Sequence, residues 1–152
     1  MHQILFWCFL LWEENMKNFI LNYKDNEGNE KSVELRLTSN VCEQIENQYN
    51  CSLIDYVQQG TVKSIITLLM HMRNGAGERF TREMTYSFYD ELVDAGYTML
   101  DILDKVIYEA LVISGIISQE DLNNIRTERE EIKNMTTEEK IKMVEERKNS
   151  QK

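Results

Sequence analysis

Two short segments constrain this chain most: LTSNVCEQIENQYNCSLID, from Leu37 to Asp55, and FYDELVDAGYTMLD, from Phe88 to Asp101. The first reads as two helix starts in a row. Asn40 with Glu43 makes a capping-box pattern ahead of Val41, Ile45 and Tyr49 at four-residue spacing, and Ser52 with Asp55 opens a second helix. The second segment is a helix, a glycine stop at Gly96 and a restart at Thr98 with Asp101. A chain with 6 glycines and 0 prolines has few other places to interrupt a helix. Such punctuation describes a compact helical module, not a cluster of catalytic or ligand-type residues.

Upstream of the first helix the period changes. Phe19–Tyr23 and Ser32–Leu37 are strand-like, the second alternating apolar Val33, Leu35 and Leu37 with polar Ser32, Glu34 and Arg36. The turn-forming run from Lys24 to Glu30 joins them, which predicts a β-hairpin. A lone hairpin is marginal in water and must lie on helices or pair with another chain.

Beyond Gly60 and Thr61, which break or bend the preceding helix, Val62, Ile65, Ile66, Leu69 and Met72 form an apolar stripe broadened by Leu68 and Met70. A helix apolar over so much of its circumference belongs in the core or under a partner. The loop Asn74-Gly75-Ala76-Gly77 ends it. Thr81 then leads a helix with Met84, Phe88 and Leu92 on one row and Tyr89 and Val93 on the next. From Thr98 the last core helix carries Met99, Ile102, Leu103, Val106, Ala110 and Ile113 and stops at Ser114-Gly115. The fold expected is mainly α, with an N-terminal β-hairpin, a small helical bundle over residues 16–117, and a charged helical tail over 118–152.

Half of residues 119–152 are charged, and a second tail helix is expected to start at Thr136 with Glu139. The tail reads either as a solvated extension or as a segment that docks on a partner or neighbouring subunit. At the other end, Ile4–Trp12 is an unbroken apolar run, shorter than the roughly 20 residues that cross a bilayer. It lacks the basic flank and small-residue cleavage site of a signal peptide. Trp12-Glu13-Glu14-Asn15 can be encoded with a GGAGG purine run just before the Met16 codon. Residues 1–15 are therefore expected to be an upstream extension, with Met16 the natural start. A GAA codon at Glu13 would break the purine run and remove that support.

The net charge of −9 and the absence of any long basic run argue against nucleic acid, because phosphate neutralisation needs clustered Lys and Arg. Cys8, Cys42 and Cys51 are odd in number and contain no CxxC pair, which suits a reducing cytosol and small buried thiols. His71 stands alone near a helix end, where a positive charge is favourable, and forms no metal-ligand set. The acidic pairs Asp90-Glu91 and Asp101-Asp104 read as a solvated face. Gly75-Ala76-Gly77-Glu78-Arg79 lacks the Lys-Ser/Thr of a phosphate-binding loop. No catalytic, cofactor or metal residues are assigned, and an enzyme is not expected. What remains is apolar: Tyr86, Phe88, Tyr89 and Tyr97, flanked by Met70, Met72, Met84 and Met99. These fill the bundle core or hold hydrophobic targets on an adaptable surface.

From Phe19 to Gly115 the order of features resembles the tail assembly chaperones of long-tailed phages and prophages of Gram-positive bacteria. The likeness lies in the hairpin, LRLTSN entering a helix, the IENQYNCSLIDY segment, YDELVDAGYTMLDILDKVIYEALVISG and a charged tail. Cys51 departs from the family's glycine-containing turn and puts that helix junction in doubt. The resemblance implies a factor that coats the hydrophobic tape-measure protein in the host cytoplasm and leaves before the virion is finished. Further contact with the tail tube protein and a longer frameshifted form follow from the same likeness, while the unpaired hairpin edge and broad apolar stripes predict self-association into a homo-oligomer. No membrane and no nucleic acid enter. The partner-binding residues expected are Leu69, Met72, Phe88, Tyr89 and Tyr97. The rival readings are a head–tail connector or tail terminator subunit, and a small regulatory protein-binding module.

Overall fold

The computed structural model describes residues 18–151. The expectations for residues 1–15 lie outside the described residues. The protein is mainly helical, 66% of the described residues, with a two-stranded antiparallel hairpin at its N-terminal side. The chain divides into two compact units, one through Ile116 and one from Ile117.

In the first unit, β1 (Phe19–Lys24) pairs with β2 (Glu30–Leu35) in a register running from Phe19 opposite Leu35 to Lys24 opposite Glu30. The side chain of Asp25 organises the turn, accepting from the backbone amides of Glu27 at 3.0 Å and Asn29 at 2.8 Å. The alternation predicted for Val33, Leu35 and Leu37 buries Leu35 and Leu37 and leaves Val33 half-buried, and β1 alternates as well. Leu21, Tyr23 and Leu35 are buried while Ile20, Asn22 and Glu34 face out, and Leu37 continues the buried row just beyond the strand. The Arg36 amide donates to the Met72 carbonyl at 2.9 Å and the Leu37 amide to Ser114 Oγ at 3.1 Å. These bonds tie the exit of the hairpin to two different helices.

Helix α1 (Ser39–Tyr49) starts at Thr38, not at Asn40. Buried Leu37 fixes the chain just before Thr38, which keeps an extended backbone and makes no side-chain cap. Asn40 therefore falls in the first turn, where its Oδ1 accepts from Gln44 Nε2 at 3.4 Å. The following turn needs neither Cys51 nor a glycine: Asn50 takes the left-handed conformation at φ 50°, a role its short polar side chain tolerates. Ser52 caps α2 (Leu53–Gln58) by accepting from the Asp55 amide at 3.1 Å. Gly60 and Thr61 break the chain, and Thr61 with Ser64 closes a capping box on α3 (Val62–Gly75). Helix α3 is central, with Ile65, Ile66, Leu68, Leu69 and Met72 buried. Val62 leaves the expected stripe and is exposed at the helix start.

Gly75 belongs to α3, although the sequence reads it as loop. A Cβ there would meet the Arg36 carbonyl oxygen at 2.1 Å, so this glycine permits a close backbone crossing between α3 and the hairpin exit. Helix α4 (Arg82–Asp94) is capped by Thr81 through the Met84 amide at 3.2 Å. It ends as expected at Gly96, where the Tyr97 amide reaches the Leu92 carbonyl and the Gly96 amide the Val93 carbonyl, both at 3.0 Å.

The last helix of this unit begins on the Thr98–Asp101 capping box with α5 (Met99–Asp101) and finishes with α6 (Glu109–Ile113). Between them Ile102–Tyr108 is π-helical and buries Ile102, Leu103, Val106, Ile107 and Tyr108. The wider i→i+5 register rotates the face that follows it. Ile113, placed in the apolar row by 3.6-residue spacing, is consequently exposed.

The second unit holds α7 (Gln119–Asn134) and α8 (Thr137–Ser150), opened by capping boxes at Ser118–Asp121 and Thr136–Glu139. Ile141 and Val144 on α8 are exposed. Among the described residues no helix is long and apolar enough to cross a membrane.

Candidate protein-binding surface

The five residues expected to meet a partner separate into two groups. Leu69 and Met72 are 0% exposed and Phe88 is 4% exposed, all three inside the bundle. In this conformation α3 is enclosed, and Phe88 points from α4 into the interior against Tyr23 and Phe80, at ring separations of 6.4 and 6.2 Å. A partner reaches them only if the helices separate. Tyr89 and Tyr97 are half-buried and remain at the surface.

Sequence reasoning undervalued the outer face of α4. Tyr86, Tyr89 and Val93 recur at i, i+3 and i+7, and Tyr86 and Val93 are 47% and 45% exposed. The signal was available: these residues lie on the row next to Phe88 and Leu92, so once those two are buried this row turns to the edge of the packed face. Arg82 anchors the start of this face. Its Nε donates to Tyr86 Oη at 3.0 Å, its Nη1 to Thr67 Oγ1 at 3.2 Å, and its guanidinium lies 5.7 Å from the Tyr86 ring centroid. Next to it Tyr49 stacks on Tyr56 at 4.4 Å with Lys63 Nζ 6.0 Å from the Tyr49 centroid. Burial pushes the Tyr56 phenol up to about 12, so it stays neutral.

A second feature lies where the hairpin crosses α3 and α4. A recess of about 420 Å³ is lined by residues including Tyr23, Lys31, Arg73, Phe80, Met84 and Glu91. Lys31 pairs with Glu91, and Arg73 Nη2 pairs with Glu78. The Arg73 guanidinium lies 4.4 Å from the Phe80 centroid and 5.1 Å from that of Phe88. Asn74 holds the Phe80 backbone by two bonds, its Oδ1 accepting from the amide at 2.8 Å and its Nδ2 donating to the carbonyl at 3.1 Å. Glu78 and Phe80 thus give the glycine-containing loop a structural task.

Two of the acidic residues weighed for chemistry, Asp101 and Glu91, have structural partners. Asp101 caps its helix, and hydrogen bonds from the Thr98 backbone and side chain hold its carboxyl below the usual range. Glu91 is paired with Lys31. His71 is half-buried, and burial lowers its pKa, opposing the positive charge that its place near the end of α3 would favour. Cys42 and Cys51 are both free thiols, and burial pushes the Cys42 thiol up. Among the described residues no three His, Cys, Asp or Glu side chains are grouped to hold a metal ion.

Comparison with protein-family models, with curated proteins and with solved structures finds no match.

Proposed function

We propose that this chain is a protein-binding module without catalysis of its own, and that it serves as a tail assembly chaperone that keeps a tape-measure protein soluble during phage tail morphogenesis. The observation that carries the binding part is the row Tyr86, Tyr89 and Val93, apolar and aromatic surface on a chain of net charge −9. The chaperone part rests on the sequence order of hairpin, capped helices and charged tail. Association would be hydrophobic, each 100 Å² of apolar surface covered contributing about 2.5 kcal/mol before ordering costs. The negative charge would keep the loaded complex soluble.

In this reading the protein works in the host cytoplasm, self-associates, can also touch the tail tube protein, and is released before the virion is complete. Co-expression with a tape-measure fragment tests it: the fragment should move from the insoluble to the soluble fraction. A head–tail connector or tail terminator subunit would instead persist in purified particles, and a regulatory module would leave the fragment insoluble.

A further inference from the structure

Among the described residues of the first unit, Arg73 carries two buried side-chain donors without a hydrogen-bond partner. It is 7% exposed, and its Nε and Nη1 have no hydrogen-bond partner among the described residues, only Nη2 being engaged by Glu78. A buried donor left unmade costs about 1–3 kcal/mol, more when the group is charged. The rings of Phe80 and Phe88 offset part of this through cation–π attraction but accept no directed hydrogen bond of ordinary strength.

We propose that the recess beside Arg73 is a peptide-binding site, in which a backbone carbonyl of a partner segment accepts from Arg73 Nε while an adjacent apolar side chain occupies the space between Tyr23, Phe80 and Met84. The charge inventory selects a carbonyl over a free anion. Lys31 and Arg73 each already face a glutamate, Glu91 and Glu78, so the site has donors to spare but no unbalanced positive charge. A volume of about 420 Å³ suits one or two side chains, near the lower end of ordinary ligand pockets. Met84, 44% exposed, offers an adaptable apolar wall. Phe80 is the cover. Its ring lies over the guanidinium from a loop that Asn74 pins by the backbone alone, so the ring can turn aside without unfolding the loop.

The inference rests on the protein-binding reading above, but its test does not require the tape-measure protein. The probe is N-acetyl-leucyl-leucine amide, titrated into the full chain labelled with ¹⁵N, with the Arg73 Nε–Hε resonance as readout. A saturable shift of that resonance is expected, with N-acetyl-seryl-serine amide giving none. Arg73→Lys, which keeps the charge and removes the Nε donor, should weaken binding at least tenfold. An unmoved Arg73 resonance in the unmodified protein would overturn the proposal, as would equal shifts from acetate alone. If tape-measure solubilisation fails while the leucine peptide still moves Arg73, the chaperone reading falls and the site stands.

Discussion

Replacing Gly75 by alanine should destabilise the protein, although helix propensity argues the reverse. Gly75 has helical backbone in the last turn of α3, where alanine would ordinarily gain up to about 1 kcal/mol. The added Cβ would lie 2.1 Å from the Arg36 carbonyl oxygen and 3.1 Å from its carbon, both backbone atoms that cannot rotate away. The hairpin exit would have to retreat by more than an ångström, straining the 2.9 Å bond from the Arg36 amide to the Met72 carbonyl. Overpacking of this kind costs about 1–3 kcal/mol, and the strained bond about 1 kcal/mol more. Net of the propensity gain, the loss should be about 2 kcal/mol. Urea unfolding followed by circular dichroism would register it as a midpoint lower by about 1 M, for a slope near 2 kcal/mol/M. Exchange of the Arg36 amide should quicken in the same variant. Gly96→Ala, strained at φ 103° but with open space around its Cβ, should leave that amide's local protection unchanged. A Gly75→Ala protein as stable as the parent, or more so, would refute the crossing argument.

Met72→Ala should cost about 2–5 kcal/mol, because Met72 is fully enclosed; a loss under 1 kcal/mol in the same urea assay would mean that it is not a core residue. The carboxyls of Asp101, Asp121 and Glu139 are depressed by hydrogen bonds from their cap residues. Their contribution is full above the ordinary carboxylate pKa near 4 and should fade as pH falls through the lower folded values, with NMR titration midpoints below those of unfolded peptides. His71 carries the matching effect near neutrality. Burial lowers its folded pKa, so stability should be full above the unfolded value of about 6.5 and decline below it, and His71→Gln should flatten that slope. Tyr86→Ser with Val93→Ser removes exposed side chains; stability should change by no more than about 1 kcal/mol, while partner binding weakens.

The hairpin and most helix boundaries were legible because local chemistry decides them. Alternation placed Leu35 and Leu37 inward, and Ser52, Thr81, Thr98 and Thr136 each sit at the helix starts that the sequence marks, whereas Thr61, read as part of a break or bend, caps α3. Asn40 misled because a good cap residue lost to the tertiary anchor at Leu37, which fixed the entry angle two residues earlier. Gly75 misled because a glycine looks the same whether it serves a turn or a close crossing. The π-helical stretch was hidden by a run of five core residues in seven, a density that simple α spacing does not resolve. The partner-binding candidates divide between core and surface for a related reason. Leu69, Met72 and Phe88 were chosen for apolarity, which names core and contact surface alike, whereas Tyr86 and Val93 stand out only once Phe88 and Leu92 are seen to take the inner row.

The most direct measurement is the solubility of a tape-measure fragment co-expressed with this chain and with its Tyr86→Ser/Val93→Ser variant. The account expects the fragment in the soluble fraction, co-purifying with the unmodified chain, and mostly insoluble with the variant. A fragment equally insoluble with and without the unmodified chain would contradict the chaperone reading. Equal rescue by both proteins would contradict the assignment of the α4 face.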